Sequence, residues 1–181
     1  MRLFDIGEHT LKNDYDLTAE DFQTPLHICK YMVSLLPKGV KTILEPTPGT
    51  GNLVRSMQGF EVTAPDDFFL LPYQKFDAIV MNPPFGYEHC NMKNAPMNFK
   101  RARSQAGYLI LLECLKMSDT VICLLPWFTL INSNARLRHL QKFGLRSVTQ
   151  INRNAFKNLR VQCMILELSR HYKGDTVLTL V

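Results

Sequence analysis

The tetrapeptide Asn82-Pro83-Pro84-Phe85 closes the apolar run "DAIVM" and carries residue types suited to binding an amine. The two prolines fix φ and remove two backbone N–H donors, so this segment presents mainly hydrogen-bond acceptors. Asn82 precedes a proline and is restricted to extended geometry, which aims its amide in a defined direction. A side-chain oxygen and a proline carbonyl can together accept both hydrogens of an –NH2 group, while Phe85 offers a flat face to a planar base. The alternative for the tetrapeptide alone is a plain strand terminator.

Such an acceptor clamp has a chemical use. The exocyclic amine of a base is a poor nucleophile because its lone pair is delocalised into the ring. Two acceptors draw the nitrogen toward a tetrahedral state, in which it can attack a methyl cation donor. The chemistry that such a clamp predicts is positioning and lone-pair polarisation of an amine.

A second candidate site lies in "EPTPGTG", residues 45–51. Gly49 and Gly51 allow a tight turn and a close backbone approach to a ligand, and Glu45 can bind a cationic group of that ligand. No GK[ST] follows, so this is not a phosphate loop of the nucleotide-triphosphate type. A lone GxG is also compatible with a purely structural turn.

The elements that must position these motifs alternate between strands and helices. A helix is predicted from "TPLHICKYMVSLLP", with Thr24 as N-cap, Pro25 at its first position and its end at Pro37 and Gly39. Strands are predicted at "KTILEP", "FEVTA", "DAIVM" and "TVICLLP", with further helices at "NLVRSMQ", "SQAGYLILLECLKMSD" and "NARLRHLQKFG". The pattern predicts a doubly wound, mostly parallel α/β sheet, closed by an antiparallel hairpin of "LRSVTQI" and "QCMILELSR". Ligands bind such sheets beyond the carboxyl ends of the strands, where both motifs lie.

Composition sets the remaining limits. The chain has 181 residues, which predicts an N-terminal arm over 1–20 and one domain over 21–181. Five scattered cysteines without a CxxC pair favour reduced thiols in the cytoplasm, and no apolar run is long enough for a membrane span. "EHC" at 88–90 is too weak a signal for a metal site, and none is expected. The net charge of +5 fits a phosphate-bearing partner, and most of the excess lies after residue 99.

Five features follow one another along the chain: the helix opened by "TP", then "EPTPGTG", "NPPF", "LLPWFTLINS" and "NAFKN". With these features in this order, the chain resembles the amino-directed S-adenosylmethionine-dependent DNA methyltransferases over roughly residues 21–170. The likeness is greatest to the adenine-N6 group, including the modification subunits of type I restriction systems. It implies a Rossmann-like class I methyltransferase fold and methyl transfer to a flipped-out adenine. The implied cofactor residues are Thr24, Pro25, Glu45, Pro46, Gly49 and Gly51. Asn82, Pro83, Pro84 and Phe85 would hold the target amine and base, with Phe156 stacking on the other side.

Two features depart from the family. Between the short helix after the glycine turn and the strand "DAIVM" before NPPF, only residues 58–76 fill the gap. They are too few for the usual strand–helix–strand passage, so one βα unit is predicted to be missing. Within that stretch, either Asp67 and Phe68 border the cofactor adenine or Asp66 binds the ribose hydroxyls, with Glu61 as a further candidate. The chain also has no room for a target-recognition region. Lys100, Arg101 and Arg103 can contact phosphates, and sequence specificity is then low or comes from a separate subunit.

Three other functions remain open at this stage. NPPF also occurs in N2-guanine methyltransferases of RNA, although the helix before the cofactor motif argues mildly against that class. Methylation of a protein glutamine is a more distant alternative. A degenerate methyltransferase fold that binds nucleic acid or a partner protein is the third alternative. The shortened stretch favours a binding module, whereas the intact amine clamp favours an enzyme.

Overall fold

The computed structural model describes residues 23–86, 93–101, 105–156 and 161–180. The predicted arm over 1–20 lies outside them. The helices are α1 (Leu26–Ser34), α2 (Asn52–Ser56), α3 (Met97–Lys100), α4 (Ala106–Met117), α5 (Phe128–Ile131) and α6 (Asn134–Phe143). The strands are β1 (Thr42–Leu44), β2 (Glu61–Thr63), β3 (Ala78–Met81), β4 (Thr120–Pro126), β5 (Leu145–Ile151), β6 (Cys163–Ser169) and β7 (Val177–Leu180).

These strands form one seven-stranded sheet in the order β2-β1-β3-β4-β6-β5-β7. From β2 through β1 and β3 to β4, each strand is parallel to the next. Strand β6 is antiparallel to both β4 and β5, and β7 lies parallel to β5. The predicted fold class, a mostly parallel α/β sheet with a C-terminal antiparallel hairpin, is confirmed.

Both faces of the central strands β3, β4 and β6 are almost entirely buried, as their continuous apolar runs predict. Along β4, Val121, Cys123 and Leu125 enter one hydrophobic cluster, while Ile122 and Leu124 enter the other. The first cluster is covered by α4 and α6, and the second by α1 and α2. This alternation follows from the two-residue period of a strand, and it holds the strand ends, which carry the motifs, in a rigid frame.

The predicted gap in the βα pattern is also found. Between β2 and β3 the chain forms only a 3₁₀ turn, Phe68–Leu70, and every residue of this link is described. Strand β2 therefore stays at one edge of the sheet. At the opposite edge β7 was not predicted, because its residues are mostly exposed and show no apolar alternation.

The start of α1 differs from the prediction. Its N-cap position is Pro25 rather than Thr24, and no side chain caps the helix. The first helical hydrogen bond runs from Cys29 N to Pro25 O at 3.0 Å. The Thr24 side chain is turned instead toward another strand end, as described below.

Candidate functional site at the carboxyl edge of the sheet

The parallel strands bring both motifs to one edge of the sheet. Glu45 follows β1 and Asn82 follows β3, and these two strands are direct neighbours. Because β6 is antiparallel to β4, and β5 to β6, the segment from 152 to 156 after β5 also lies at this edge. Residues distant in sequence thus converge where the sequence predicts a ligand site.

Glu45 is an almost fully buried carboxyl group, 1% exposed. Burial raises its pKa to about 8, against an opposing effect of hydrogen bonds from Thr47. Oε1 accepts from the Thr47 backbone N–H at 3.0 Å and from the Thr47 hydroxyl at 3.3 Å. Oε2 is buried and has no hydrogen-bond partner within the described parts of the chain. A buried acceptor without a partner is costly unless a ligand satisfies it, so this oxygen marks a binding position.

The glycine turn beside Glu45 has the backbone that its sequence predicts. Gly49 and Gly51 have φ of 54° and 87°, a region that L-residues with a side chain rarely adopt. The Gln23 side chain lies over the turn, and its Oε1 accepts from Thr50 N at 3.1 Å. A Cβ at Gly49 would lie 2.3 Å from Gln23 Nε2, so a larger residue there would displace the end of the Gln23 side chain. Gln23 was not predicted as a site residue, because nothing local marks its contact with the turn.

Hydrogen bonds join the two motifs and the segment before α1. Asn82 Nδ2 donates to Thr24 Oγ1 at 3.0 Å. The Thr47 hydroxyl lies 3.4 Å from the Asn82 carbonyl oxygen, so its single hydrogen is shared between this oxygen and Glu45 Oε1. Asn52 Nδ2, at the start of α2, donates to the Thr24 carbonyl oxygen at 3.0 Å. Thr47 and Asn52 were not predicted as site residues, although both lie in or next to "EPTPGTG". The structure therefore brings Thr24, Glu45 and Asn82 into one connected network.

The prolines after Asn82 pack against the first turn of α4. A Cβ on Gly107 would lie 3.0 Å from the Pro84 carbonyl oxygen and 3.2 Å from Pro83 Cγ. Phe85 is half-buried and packs against the cluster that also contains Phe156. Sequence reasoning missed Gly107, although a glycine inside a strong helical pattern is a recognised sign of close packing.

The candidate residues of the shortened stretch, 58–76, lie in different environments. Asp66 is exposed, whereas Asp67 caps the 3₁₀ turn by accepting from Phe69 N at 2.9 Å. The second oxygen of Asp67 accepts from Asn94 N and Asn94 Nδ2 at 3.2 and 2.9 Å. Slight burial raises the pKa of Asp67, but these hydrogen bonds outweigh it and leave the pKa below its usual value. Phe68 is 6% exposed and belongs to the core beneath the sheet, so its ring packs as a core residue in this conformation.

The remaining predicted residues that the structure describes differ in burial. Pro25 is half-buried and Pro46 is buried. Phe156 is only 3% exposed and is part of the second core cluster, so its ring does not present a stacking face in this conformation. Lys100 and Arg101 are exposed at the end of α3. Arg103, like "EHC" at 88–90, lies outside the described residues.

Metal ligands and membrane spans are both absent from the described ranges. No group of three or more His, Cys, Asp or Glu side chains in them is placed to hold a metal ion. In the same ranges, no helix is long and apolar enough to cross a membrane.

Comparison with known proteins identifies the fold through structure alone. Neither a family model nor a curated protein sequence matches the chain. Among solved structures, a methyltransferase subunit of a type I restriction-modification system from Streptococcus thermophilus superposes with a TM-score of 0.66 at 17% identity, over 88% of this chain and 47% of that one. A protein assigned as a type I modification subunit from Vibrio vulnificus gives a TM-score of 0.65 at 19% identity, over 86% and 45% of the two chains.

A third similar structure, from Listeria monocytogenes, is assigned as a class I S-adenosylmethionine-dependent methyltransferase. It gives a TM-score of 0.64 at 16% identity and covers 91% of this chain and 67% of that one. The chain therefore has the fold of S-adenosylmethionine-dependent methyltransferases. It spans less than half the length of the two restriction-modification subunits that it resembles.

Proposed function

We propose that the protein transfers a methyl group from S-adenosylmethionine to the N6 amine of adenine in DNA. The observation that carries the proposal is the network in which NPPF, at the end of β3, is hydrogen-bonded to Thr24 and linked through Thr47 to the buried Glu45. The similar solved structures that are methyltransferase subunits of type I restriction-modification systems support DNA as the substrate.

The residues at the β1 end fit the proposed cofactor. The Glu45 Oε2 oxygen is a buried acceptor without a partner among the described residues, which suits the ammonium of a methionine moiety. Gly49 and Gly51 bring backbone close to a ligand that passes over the turn. Pro25 and Pro46 flank this position, and Asp66, exposed after β2, is the candidate for the ribose hydroxyls.

When bound, S-adenosylmethionine supplies an electrophilic methyl group on a sulfonium. The Asn82 side-chain oxygen and the Pro83 carbonyl accept the two hydrogens of the adenine amine and hold its nitrogen toward that methyl group. Phe85 stacks on the base, and Phe156 covers its other side once its ring has moved out of the core. Transfer would form the new C–N bond as the C–S bond breaks, with S-adenosylhomocysteine leaving as the neutral thioether and one amine proton passing to solvent water.

The exposed Lys100 and Arg101, with Arg103, contact DNA phosphates in this proposal. Phosphate contacts carry no sequence information, so a separate specificity subunit is the proposed partner. The similarity to subunits of multi-subunit restriction systems supports this assignment.

The test begins with calorimetric titration of S-adenosylmethionine into the protein, with and without DNA. Labelled-methyl transfer, followed by digestion to nucleosides, then distinguishes N6-methyladenine from N2-methylguanine, with RNA as the parallel substrate. Asn82→Ala should lower transfer roughly 100-fold or more while cofactor affinity stays nearly unchanged. The exposed Asn132→Ala is the matched control. Equal loss of transfer and of cofactor binding in Asn82→Ala would show that Asn82 is misassigned.

A second candidate function is supported by the 3₁₀ link between β2 and β3. It replaces a complete βα unit, and the Asp67 carboxylate within it already accepts hydrogen bonds from Phe69 and Asn94. A fold that no longer binds the cofactor would act as a nucleic-acid-binding or partner-binding module. DNA binding without any S-adenosylmethionine binding would favour this function over the enzyme.

A further inference from the structure

Thr24 is a buried residue whose hydroxyl is hydrogen-bonded to Asn82, the residue that follows strand β3. It is 3% exposed, and its side chain does not cap α1, which has no side-chain cap. The hydroxyl oxygen accepts from Asn82 Nδ2 at 3.0 Å, across 58 positions of sequence. This long-range, partly buried contact holds both side chains in one arrangement, because breaking it leaves the Asn82 donor without its acceptor.

The backbone of Thr24 is itself held from two sides. Its carbonyl oxygen accepts from Asn52 Nδ2 at 3.0 Å and from Cys29 Sγ at 3.4 Å. These donors belong to α2 and α1, the helices on one face of the sheet. The hydroxyl is therefore a fixed anchor rather than a group on a free segment.

The amide of an asparagine has a donor end and an acceptor end of nearly equal size, and its hydrogen bonds decide where each end lies. In this structure the nitrogen end faces Thr24. The oxygen end is then directed away from Thr24, and only this end can accept a hydrogen from an amine. The main-chain side of Asn82 is held separately, through the Thr47 hydroxyl.

We infer that Thr24 is a positioning residue for methyl transfer: its hydroxyl holds the nitrogen end of the Asn82 amide so that the oxygen end meets the target amine. This inference rests on the proposed function. It gives Thr24 a role toward the substrate amine, whereas the sequence resemblance implies a contact with the methionine end of the cofactor.

Thr24→Val and Thr24→Ser form the matched pair for the test, because valine keeps the shape without an acceptor and serine keeps the hydroxyl. Each variant is compared with the wild type for kcat of transfer to DNA, for S-adenosylmethionine Kd by calorimetry, and for the side-chain amide signals of protein labelled with ¹⁵N-asparagine. The spectra are recorded without cofactor. Asn52 is the internal reference, because its acceptor is the backbone carbonyl of residue 24, which both variants retain.

Thr24→Val should shift the Asn82 amide signals, leave those of Asn52 in place and lower kcat roughly 10- to 100-fold, with Kd changed less than about two-fold. Thr24→Ser should restore both the signals and kcat. Unchanged Asn82 signals, equal kcat in the two variants, or a raised Kd with unchanged kcat would each overturn the inference. If Thr24→Val does not fold, Thr24→Ala against Thr24→Ser gives the same comparison.

A wild-type protein that transfers no methyl group would overturn the proposed function instead. The cofactor-free spectra then decide the positioning by themselves. A shift of the Asn82 signals in Thr24→Val but not in Thr24→Ser supports the Thr24 hydroxyl as the group that orients the Asn82 amide. If the Asn82 signals do not shift in Thr24→Val, the inference is overturned.

Discussion

Gly107, in the first turn of α4, lies so close to Pro84 that a Cβ would be 3.0 Å from the Pro84 carbonyl oxygen. The same Cβ would be 3.1 Å from Leu125 Cδ2, on β4. The absence of a side chain at residue 107 lets the helix pack closely against NPPF. Gly107 is therefore part of the support of the candidate site.

Gly107→Ala should push Pro84 by a few tenths of an ångström and lower methyl transfer. Overpacking lowers the free energy of unfolding by roughly 1–3 kcal/mol, whereas the higher helix propensity of alanine raises it by about 1 kcal/mol. The net loss of stability should therefore be small. Transfer kinetics and urea denaturation measure the two effects. Glu113→Ala, at the exposed pair with Lys116 on the same helix, is the control. Full activity in Gly107→Ala would mean that the prolines tolerate displacement.

The buried Glu45 should give the protein a stability that falls as pH rises. Burial raises its pKa to about 8 from a usual value of 4.5, so unfolding between these values releases a proton. The folded state is then favoured at low pH, and this contribution is lost as pH rises through 8. Glu45→Gln removes the group that ionises. Its free energy of unfolding, relative to that of the wild type, should therefore rise by on the order of 3 kcal/mol between pH 5 and pH 8.

Urea denaturation of the cofactor-free protein at both pH values measures this difference. Glu61→Gln, the same change at the exposed start of the neighbouring β2, is the control and should keep the pH dependence because Glu45 is intact. A difference between wild type and Glu45→Gln that does not change with pH would show that Glu45 is ionised in the folded protein.

The sequence predicts the strands up to β6 and the longer helices because each is a local apolar pattern with its own end signals. Strand β7 is apolar in sequence but mostly exposed, and it adds in parallel to the open edge of β5. The contact between Thr24 and Asn82 is invisible locally, since α1 and β3 meet only in the folded protein. The glycine turn and NPPF could be located from residue types alone. The burial of Phe156 could not, because it depends on packing from several elements.

Lys100 and Arg101 should affect the salt dependence of DNA binding. Both are exposed at the end of α3, and Lys100 Nζ donates to the Lys93 carbonyl oxygen at 3.3 Å. Replacing each by alanine should reduce the slope of log K against log salt by about 0.9 for each phosphate that is no longer neutralised. Lys38→Ala, before the amino end of β1, is the control and should leave the slope unchanged. Unchanged slopes in the α3 variants would place the DNA elsewhere.

Phe156 can be tested for two roles, in the core and against a base. Its ring is buried with the α1 side of the sheet, so Phe156→Leu keeps most of the apolar volume and should cost less than about 1.5 kcal/mol. Leucine has no aromatic face, and loss of base stacking of roughly 1–3 kcal/mol should lower transfer to DNA about ten-fold or more. Phe76→Leu, the same change in the other cluster before β3, is the control for core loosening. If both variants keep full transfer at similar stability, the ring of Phe156 serves the core alone and another residue must cover the flipped base.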